Sequence, residues 1–171
     1  SIIYLEVGRR LGLNLRGVSF PGHFLVKLAV TRGHLVLDPF AGGEAQSESE
    51  LRQRLAQVLP PESAEHVPLD RFLEAATPRQ IIARMLRNLK NIYMQTNKLE
   101  TALAVMHRML LVVPESAEEL RDRGMIYEQL ECYRAALSDL QNYLRRRPEA
   151  PDAGDIYSKV VELRKACGKL N

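Results

Sequence analysis

The 171-residue sequence has few cysteines, no long apolar run and little net charge. Its two cysteines, Cys132 and Cys167, belong to no Cys-x-x-Cys or Cys/His cluster, which argues against a disulfide scaffold or a cysteine-rich zinc site and favours a reducing, cytoplasmic setting. No apolar stretch approaches the roughly 20 residues that a membrane-spanning helix needs. The formal net charge is only +3. We therefore expect neither a membrane nor a nucleic acid as the partner.

The sequence also lacks the devices that hold cofactors. Segment 12–17 has a glycine at each end, but it leaves a predicted helix and enters a predicted strand, whereas a phosphate-binding loop places its glycines at the start of a helix. His66 and His107 have no partner at metal-ligand spacing. We expect no cofactor and no metal.

The first 45 residues combine two periodicities. Apolar residues in 2–11 recur with helical spacing, and Gly12 follows as a helix stop. Three later segments, 13–20, 23–30 and 34–38, alternate as strands do, with turns between them. This pattern predicts a helix followed by an antiparallel meander of three strands. Because the chain opens Ser1-Ile2-Ile3 without methionine, we expect its natural N-terminus to lie upstream.

The remaining sequence is predicted to be helical. Segment 47–59 begins with Ser47 and Glu50, three residues apart, which is the spacing of a capping box. From residue 77 onward the pattern predicts about five helices, separated by asparagine and proline. We therefore predict an α+β fold in two domains: residues 1–76 with the sheet and a connector helix, and residues 77–171 with a helical array.

The helical part contains an internal repeat. A shift of 34 residues aligns like residues in pairs: Tyr93 with Tyr127, Ala102 with Ala136, Leu103 with Leu137, and Pro114 with Pro148. A helix–turn–helix unit of this length is typical of the tetratricopeptide repeat, and the likeness covers residues 83–148. Gly124 stands at the usual glycine position of the second copy, where the first copy has Lys90. We expect 152–170 to form a capping helix; the alternative is an ordinary helical bundle.

His23 and Asp38 lie on neighbouring predicted strands, in the segments PGHFLVK and LVLDPF. A histidine held by a carboxylate is the general-base half of a nucleophilic triad, whose third member would be a cysteine or serine at the start of a packed helix. We predict that His23 and Asp38 form a catalytic pair, vestigial or incomplete in this chain, within hydrogen-bond reach or one water of each other. The other interpretation is a buried hydrogen-bonded pair retained for packing.

The segments SIIYLEVGRRLGLNLRGVSFPGHFLVK and LVLDPFAGG resemble the SirB-type bacterial proteins, which join a transglutaminase-like domain to tetratricopeptide repeats. The resemblance implies a core in which a helix carries the nucleophile and the following strands carry His and Asp, so that His23 is the base and Asp38 its orienting acid. Enzymes of that superfamily place a cysteine at or just before the start of this helix, but no cysteine precedes Cys132 here. The resemblance leaves Ser1 as either a helix cap or a relic of the nucleophile position.

Tetratricopeptide arrays bind peptides in the concave groove that is lined by the first helix of each pair. The 34-residue register places these residues in such a groove: Arg84, Arg87, Asn91, Arg121 and Met125. Arg87 and Asn91 match two positions of the clamp that some such domains use for acidic C-termini. Asp122 and Asp152 depart from it, because they replace an amide and a cation. We therefore predict a peptide-binding groove of mixed charge rather than a full clamp.

Basic and apolar residues also recur along the helices. Arg79, Arg84, Arg87 and Lys90 have helical spacing, which we interpret as a solvated basic face. The residues predicted to be mostly core are Met85, Leu89, Met106, Met109 and Leu110, with Met94 and Met125 more exposed. Both cysteines are predicted to be buried structural thiols.

These observations favour a cytoplasmic protein-interaction module with a degenerate transglutaminase-like core and a peptide-binding groove. The alternative is a papain-like hydrolase or acyltransferase, of the protease or transglutaminase class, whose nucleophile lies upstream of residue 1. In that case the His/Asp pair would act as the general base. A cysteine immediately before Ser1 would favour the enzyme.

Overall fold

A computed structural model describes residues 2–169, apart from the side chains of residues 61, 62 and 169. The chain forms two compact units, Ser1–Ile81 and Ile82–Asn171. Within the described residues, the first unit contains a sheet with short helices and the second contains helices alone. The predicted α+β fold class is therefore confirmed.

The first unit is built around an antiparallel sheet with the strand order β1-β2-β3-β4. Its elements are α1 (Ile2–Arg10), β1 (Leu15–Val18), β2 (Leu25–Val30), β3 (Gly33–Asp38), β4 (Glu44–Ala45), α2 (Glu48–Leu55), α3 (Pro61–His66), a 3₁₀ turn (Leu69–Phe72) and the start of α4 (Pro78–Gln95). The predicted helix and meander are present, but the sheet has a fourth, two-residue strand that the sequence pattern did not indicate. Gly42 and Gly43 have φ values of 66° and 91°, which favour glycine, and they turn the chain back so that Ala45 pairs with Leu37.

A turn places His23 just outside the sheet. The alternating pattern predicts a strand from residue 23, but β2 begins at Leu25 because the preceding residues form a turn. His23 donates its backbone N–H to the Phe20 carbonyl at 3.0 Å in this turn. The register pairs Val26 with Leu37, so the start of β2 lies beside the end of β3, where Asp38 is the last residue.

The core of the first unit packs one face of the sheet against the helices that follow. Its buried side chains are Val18, Phe20, Leu25, Val36, Leu51, Leu55, Ala64 and Leu73. Helix α2 begins at the predicted capping box, in which Glu50 donates its backbone N–H to the Ser47 hydroxyl and Ser47 donates its N–H to the Glu50 carboxylate. Such a cap stabilises a helix by about 1 kcal/mol. Because Leu51 and Leu55 face the core, the neighbouring Arg54 lies at its edge.

The second unit repeats one helical hairpin and adds a last helix. After α4 it contains α5 (Leu99–Val112), α6 (Ala117–Gln129), α7 (Tyr133–Arg146) and α8 (Ala153–Lys169). The ends of α4 and α6 are 34 residues apart, as are the starts of α5 and α7. The tight turns match as well, since Asn97 and Glu131 have φ values of 54° and 58°. The backbone therefore repeats with the period that the sequence predicts, and α8 occupies the segment that is predicted to form the capping helix.

The two hairpins differ at the glycine position. A Cβ atom on Gly124 would lie 2.8 Å from Cδ2 of Leu140, so the close packing of α6 on α7 requires glycine there. The first hairpin has Lys90 at this position, and the interpretation of Lys90 as part of a solvated face is wrong. Lys90 is only 6% exposed, because its ammonium group reaches two carboxylates on α6.

Three other expectations about burial are wrong. Met85 and Leu89 are 44% and 38% exposed, because they share with Ile82 and Ile92 a face of α4 that its neighbours leave uncovered. Cys132 is exposed, because it lies in the turn before α7 rather than inside a helix. Met106 and Met109 are buried as predicted.

Candidate functional site

The His23 side chain binds the Asp38 carboxylate directly. Nε2 of His23 lies 3.0 Å from Oδ1 and 2.9 Å from Oδ2 of Asp38. The structure thus brings together the two residues that the sequence singles out. Their catalytic role stays a prediction.

Asp38 is buried and fully hydrogen-bonded. Its side chain is 2% exposed, and its carboxylate accepts the Phe40 backbone N–H at 2.8 Å and Nη2 of Arg54 at 2.8 Å. Burial alone would raise the pKa of Asp38, but the hydrogen bonds from His23 and from the Phe40 N–H outweigh it and hold this pKa below its ordinary value. Asp38 is therefore ionised at neutral pH, and Arg54 balances the buried charge.

The ionised carboxylate determines the tautomer of His23. Because a carboxylate only accepts hydrogen bonds, Nε2 of the neutral imidazole must carry the proton, and Nδ1 becomes the acceptor. The Phe40 ring lies 5.4 Å from the imidazole, and the His23 side chain remains 26% exposed. The arrangement presents a proton-accepting nitrogen on a ring held in a fixed orientation, which is what a general base requires.

The first turn of α1 is tied to the loop that follows Asp38. The Tyr4 hydroxyl donates to the Gly42 carbonyl at 2.9 Å. A Cβ atom on Gly43 would collide with the Tyr4 hydroxyl, so the approach of α1 to this loop requires glycine. The start of α1 is therefore held near the loop that binds Asp38. The two interpretations of Ser1 concern a position outside the described residues.

The predicted groove residues of α4 are at least partly exposed to solvent. Arg87 is 51% exposed and its Nε lies 3.5 Å from Oε1 of Glu119, while Asn91 is exposed and Arg84 is half-buried. Burial, together with the positive charge of Arg87, lowers the pKa of Arg84. Helix α4 presents a cationic edge.

A buried ion cluster lies beneath that edge. Nζ of Lys90 lies 2.8 Å from Oε2 of Glu119 and 2.9 Å from Oδ2 of Asp122. The Lys90 and Glu119 side chains are 7% and 3% exposed. A lysine at this depth requires paired carboxylates, because burying an isolated ammonium costs several kcal/mol. The cluster therefore joins α4 to α6.

Arg121, the predicted groove residue of α6, continues the ion pairs toward α8. It binds Oδ1 of Asp122 and, at 2.8 Å, Oδ2 of Asp152. The Tyr143 hydroxyl donates to the other oxygen of Asp152. These side chains line a pocket of about 720 Å³ between α6, α7 and the start of α8. Met125 is half-buried and packs against the core of this unit rather than standing free in a groove.

Among residues 2–169, no three His, Cys, Asp or Glu side chains are grouped so that they could hold a metal ion. No helix in the same part of the chain is both long and apolar enough to cross a membrane.

Two known protein families match the chain, one in each half of the sequence. Residues 1–87, half of the chain, match the transglutaminase-like superfamily. The chain belongs to this superfamily. Residues 89–159 match the tetratricopeptide repeat. Because such repeats generally mediate contacts between proteins, this transglutaminase-like chain carries the elements of a protein-interaction module.

Three bacterial relatives cover most of the chain. A protein of Xylella fastidiosa named UPF0162 protein is 42% identical over 163 residues, which are 95% of this chain and 58% of the relative. UPF0162 protein YchA of Escherichia coli K12 is 36% identical over 94% of the chain and 59% of its own length. Protein SirB1 of Salmonella typhimurium is 35% identical over 92% of the chain and 58% of its own length. The chain therefore spans less than two thirds of each of these relatives.

Sequence reasoning missed Arg54 and the burial of Lys90. Arg54 follows the capping box on α2 and precedes the buried Leu55, so a helical projection of 48–55 places it at the edge of the apolar face. Nothing in the sequence indicates that this edge meets Asp38. The burial of Lys90 is indicated by its position in the repeat, because the matching residue of the second copy, Gly124, packs closely against Leu140.

Proposed function

We propose that the helical unit binds a peptide along α4 and α6, and that the transglutaminase-like unit is a catalytically degenerate scaffold. The observation that carries the peptide site is the arrangement around Lys90. Arg87 and Asn91 are one helical turn apart and exposed, while Lys90 between them is buried and anchors α4 to α6. Exposed hydrogen-bond donors on a fixed helix suit the carbonyl and carboxylate groups of a peptide.

The charges of the helical unit favour a peptide that is acidic where it meets α4. Helix α4 carries no acidic residue, and the ion pair of its half-exposed Arg87 with Glu119 is long, at 3.5 Å, so Arg87 can also meet a ligand carboxylate. Toward α8 the arginines are already paired, Arg121 with Asp122 and Asp152. We therefore assign the acidic end of the ligand to α4.

The test is a double substitution with a matched control. A displayed library of random peptides selects binders to the intact chain, and fluorescence anisotropy measures their Kd. We expect Arg87→Ala with Asn91→Ala to weaken binding at least tenfold, because charge-assisted hydrogen bonds are lost. The melting temperature should stay unchanged, because both side chains are exposed.

Asn142 and Arg145 provide the control, since they form an arginine–asparagine pair on α7, the second helix of its hairpin. Replacing both with Ala should leave the Kd unchanged. If the Arg87/Asn91 variant and the wild type bind with equal affinity, the peptide does not bind at these residues.

Two features support a degenerate core. Residues 2–81 contain no cysteine, so this unit offers the His23–Asp38 pair no thiol. The charge of Asp38 is also balanced by Arg54 at 2.8 Å, which reduces the stabilisation that the carboxylate can give to an imidazolium during catalysis. The free thiols Cys132 and Cys167 suit a reducing compartment, and we place the protein in the cytoplasm.

The second candidate function is a papain-like hydrolase or acyltransferase whose nucleophile lies upstream of residue 1. The hydrogen bond between His23 and Asp38 favours it, because this contact orients Nδ1 as a proton acceptor. Thiol- and serine-directed probes, applied to the full-length gene product, distinguish the two. Labelling that disappears in the His23→Ala variant establishes the enzyme, and labelling that is absent or independent of His23 supports the scaffold.

A further inference from the structure

A continuous series of ion pairs runs through the helical unit and is buried at Lys90 and Glu119. The side chains follow each other in this order: Arg87, Glu119, Lys90, Asp122, Arg121, Asp152 and Tyr143. Each of the three carboxylates uses one oxygen for the group before it and the other oxygen for the group after it. The series therefore crosses from α4 through α6 to the α7–α8 connection.

Lys90 lies midway between the first two arginines of this series, Arg87 and Arg121. Glu119 connects it to Arg87 on one side, with Oε2 on Lys90 and Oε1 3.5 Å from Arg87. Asp122 connects it to Arg121 on the other side, with Oδ2 on Lys90 and Oδ1 on Arg121. No carboxylate oxygen in either connection is shared between two cations. A movement of the Lys90 ammonium therefore changes the position of both carboxylates.

The two arginines that Lys90 reaches belong to different parts of the proposed binding surface. Arg87 is exposed on α4, one turn from Asn91. Arg121 lies against the Tyr143 ring, 5.8 Å from its centroid, in the wall of the 720 Å³ pocket. Groups in one network of ion pairs and hydrogen bonds are energetically coupled.

We propose that Lys90 is a positioning residue that couples Arg87 to Arg121, so that the α4 edge and the α6–α8 pocket act as two subsites for one peptide. The two-subsite part of this proposal rests on the proposed function. The coupling of the two arginines does not, since it is a property of the chain without a ligand.

The first experiment needs no ligand. NMR spectra of the arginine Nε–H groups are recorded for the wild type and for Arg87→Ala, each with and without Asp122→Asn. Asp122→Asn removes one negative charge from the network, keeps the side-chain shape and leaves Glu119 on Lys90. We expect Arg87→Ala to shift the Arg121 signal in the wild type and to leave it in place in the Asp122→Asn background. Lys90→Met should have the same uncoupling effect, and Lys90→Arg should restore the coupling in part.

Lys159 provides a matched control, because it also joins two helices through an ion pair, with Glu128 at 2.8 Å, but lies outside the series. In Lys159→Met the response of Arg121 to Arg87→Ala should persist. A response that survives in Asp122→Asn, or that is absent in the wild type, overturns the coupling. Because Asp122→Asn removes no buried lysine, the test stands even if Lys90→Met does not fold.

The second experiment uses a peptide selected as above. We expect Arg87→Ala and Arg121→Ala to be non-additive in Kd by at least fivefold in the wild type and additive within twofold in the Asp122→Asn background. Additivity in both backgrounds overturns the two-subsite arrangement. If no peptide binds at all, the proposed function fails, while the NMR result still decides the coupling.

Discussion

Each unit of the molecule has a buried charge at its site, Asp38 in one and Lys90 in the other, and the two clusters around them balance that charge in opposite ways. In the transglutaminase-like unit a carboxylate, Asp38, is 1% exposed and takes donors from His23, Arg54 and the backbone. In the tetratricopeptide unit an ammonium, Lys90, is 6% exposed and takes two carboxylates from α6. The comparison teaches that a buried charge persists where groups of opposite charge lie within hydrogen-bond distance of it.

The two clusters also differ in how local their partners are. The backbone N–H of Phe40 belongs to the turn that follows Asp38, so part of that cluster forms with its own loop. Lys90 has partners only on a helix some thirty residues away, Glu119 and Asp122. The Lys90 cluster therefore depends entirely on the packing of α4 against α6, and we expect it to be the more sensitive of the two.

The largest expected effect is that of Lys90→Met. The substitution leaves Glu119 and Asp122 without their cation, and breaking a buried ion pair in this way costs about 3–5 kcal/mol. Urea unfolding measures the loss in the free energy of unfolding. Lys165→Met, at an exposed position of α8, is the control and should leave that free energy unchanged. A Lys90→Met variant as stable as this control would show that the cluster contributes nothing to folding.

Asp38→Asn should have the next largest effect, about 2–3 kcal/mol at neutral pH, because it weakens the contacts with His23 and Arg54. The effect should depend on pH. Since the folded-state pKa of Asp38 lies below its ordinary value, the ionised carboxylate stabilises the fold above that ordinary value, and this stabilisation is lost as the pH falls through the lowered pKa.

Urea unfolding of the wild type and the Asp38→Asn variant over a pH series tests this dependence. The difference in the free energy of unfolding should be constant from about pH 7 to about pH 5 and should shrink below about pH 4. A difference that stays constant far into the acid range would mean that the carboxylate is not stabilised in its ionised form.

The smallest expected effect is that of Arg147→Ala, which removes an exposed ion pair with Glu118. The two side chains are 60% and 50% exposed, so water and salt screen the attraction. We expect no measurable change in the midpoint of urea unfolding. A destabilisation as large as that of Lys90→Met would mean that an ion pair stabilises the fold to the same extent whether or not it is buried.

Much of the fold follows from local patterns in the sequence. Alternating apolar residues predict β1, β2 and β3, and Ser47 with Glu50 predicts the start of α2. Like residues 34 apart predict the helical hairpins, including the matching turns at Asn97 and Glu131. The pattern does not indicate β4, because a two-residue strand is too short to show a periodicity. It also predicts that the second strand begins at His23, whereas His23 belongs to the turn that precedes this strand.

The candidate site follows from the sequence only in part. The approach of His23 to Asp38 is predictable because His23 precedes β2 by two residues and Asp38 ends β3, and these two strands form one hairpin whose register follows from the turn. The part played by Arg54 is not, because it depends on how α2 packs across the sheet. In the same way, only the packing of the helices shows that Met125, a predicted groove residue, is half-buried and contacts the core of the helical unit.

By itself, the sequence determines which segments form helices and strands, where the repeat begins and which residues resemble a catalytic pair. These properties depend on neighbours within a few residues, through hydrogen-bond spacing and apolar periodicity. Only the tertiary structure decides that Arg54 neutralises Asp38 and that Lys90 lies buried between two carboxylates. Whether a charge meets solvent or a partner depends on which helices pack together, and the free energy of burying it depends on every group within a few ångströms.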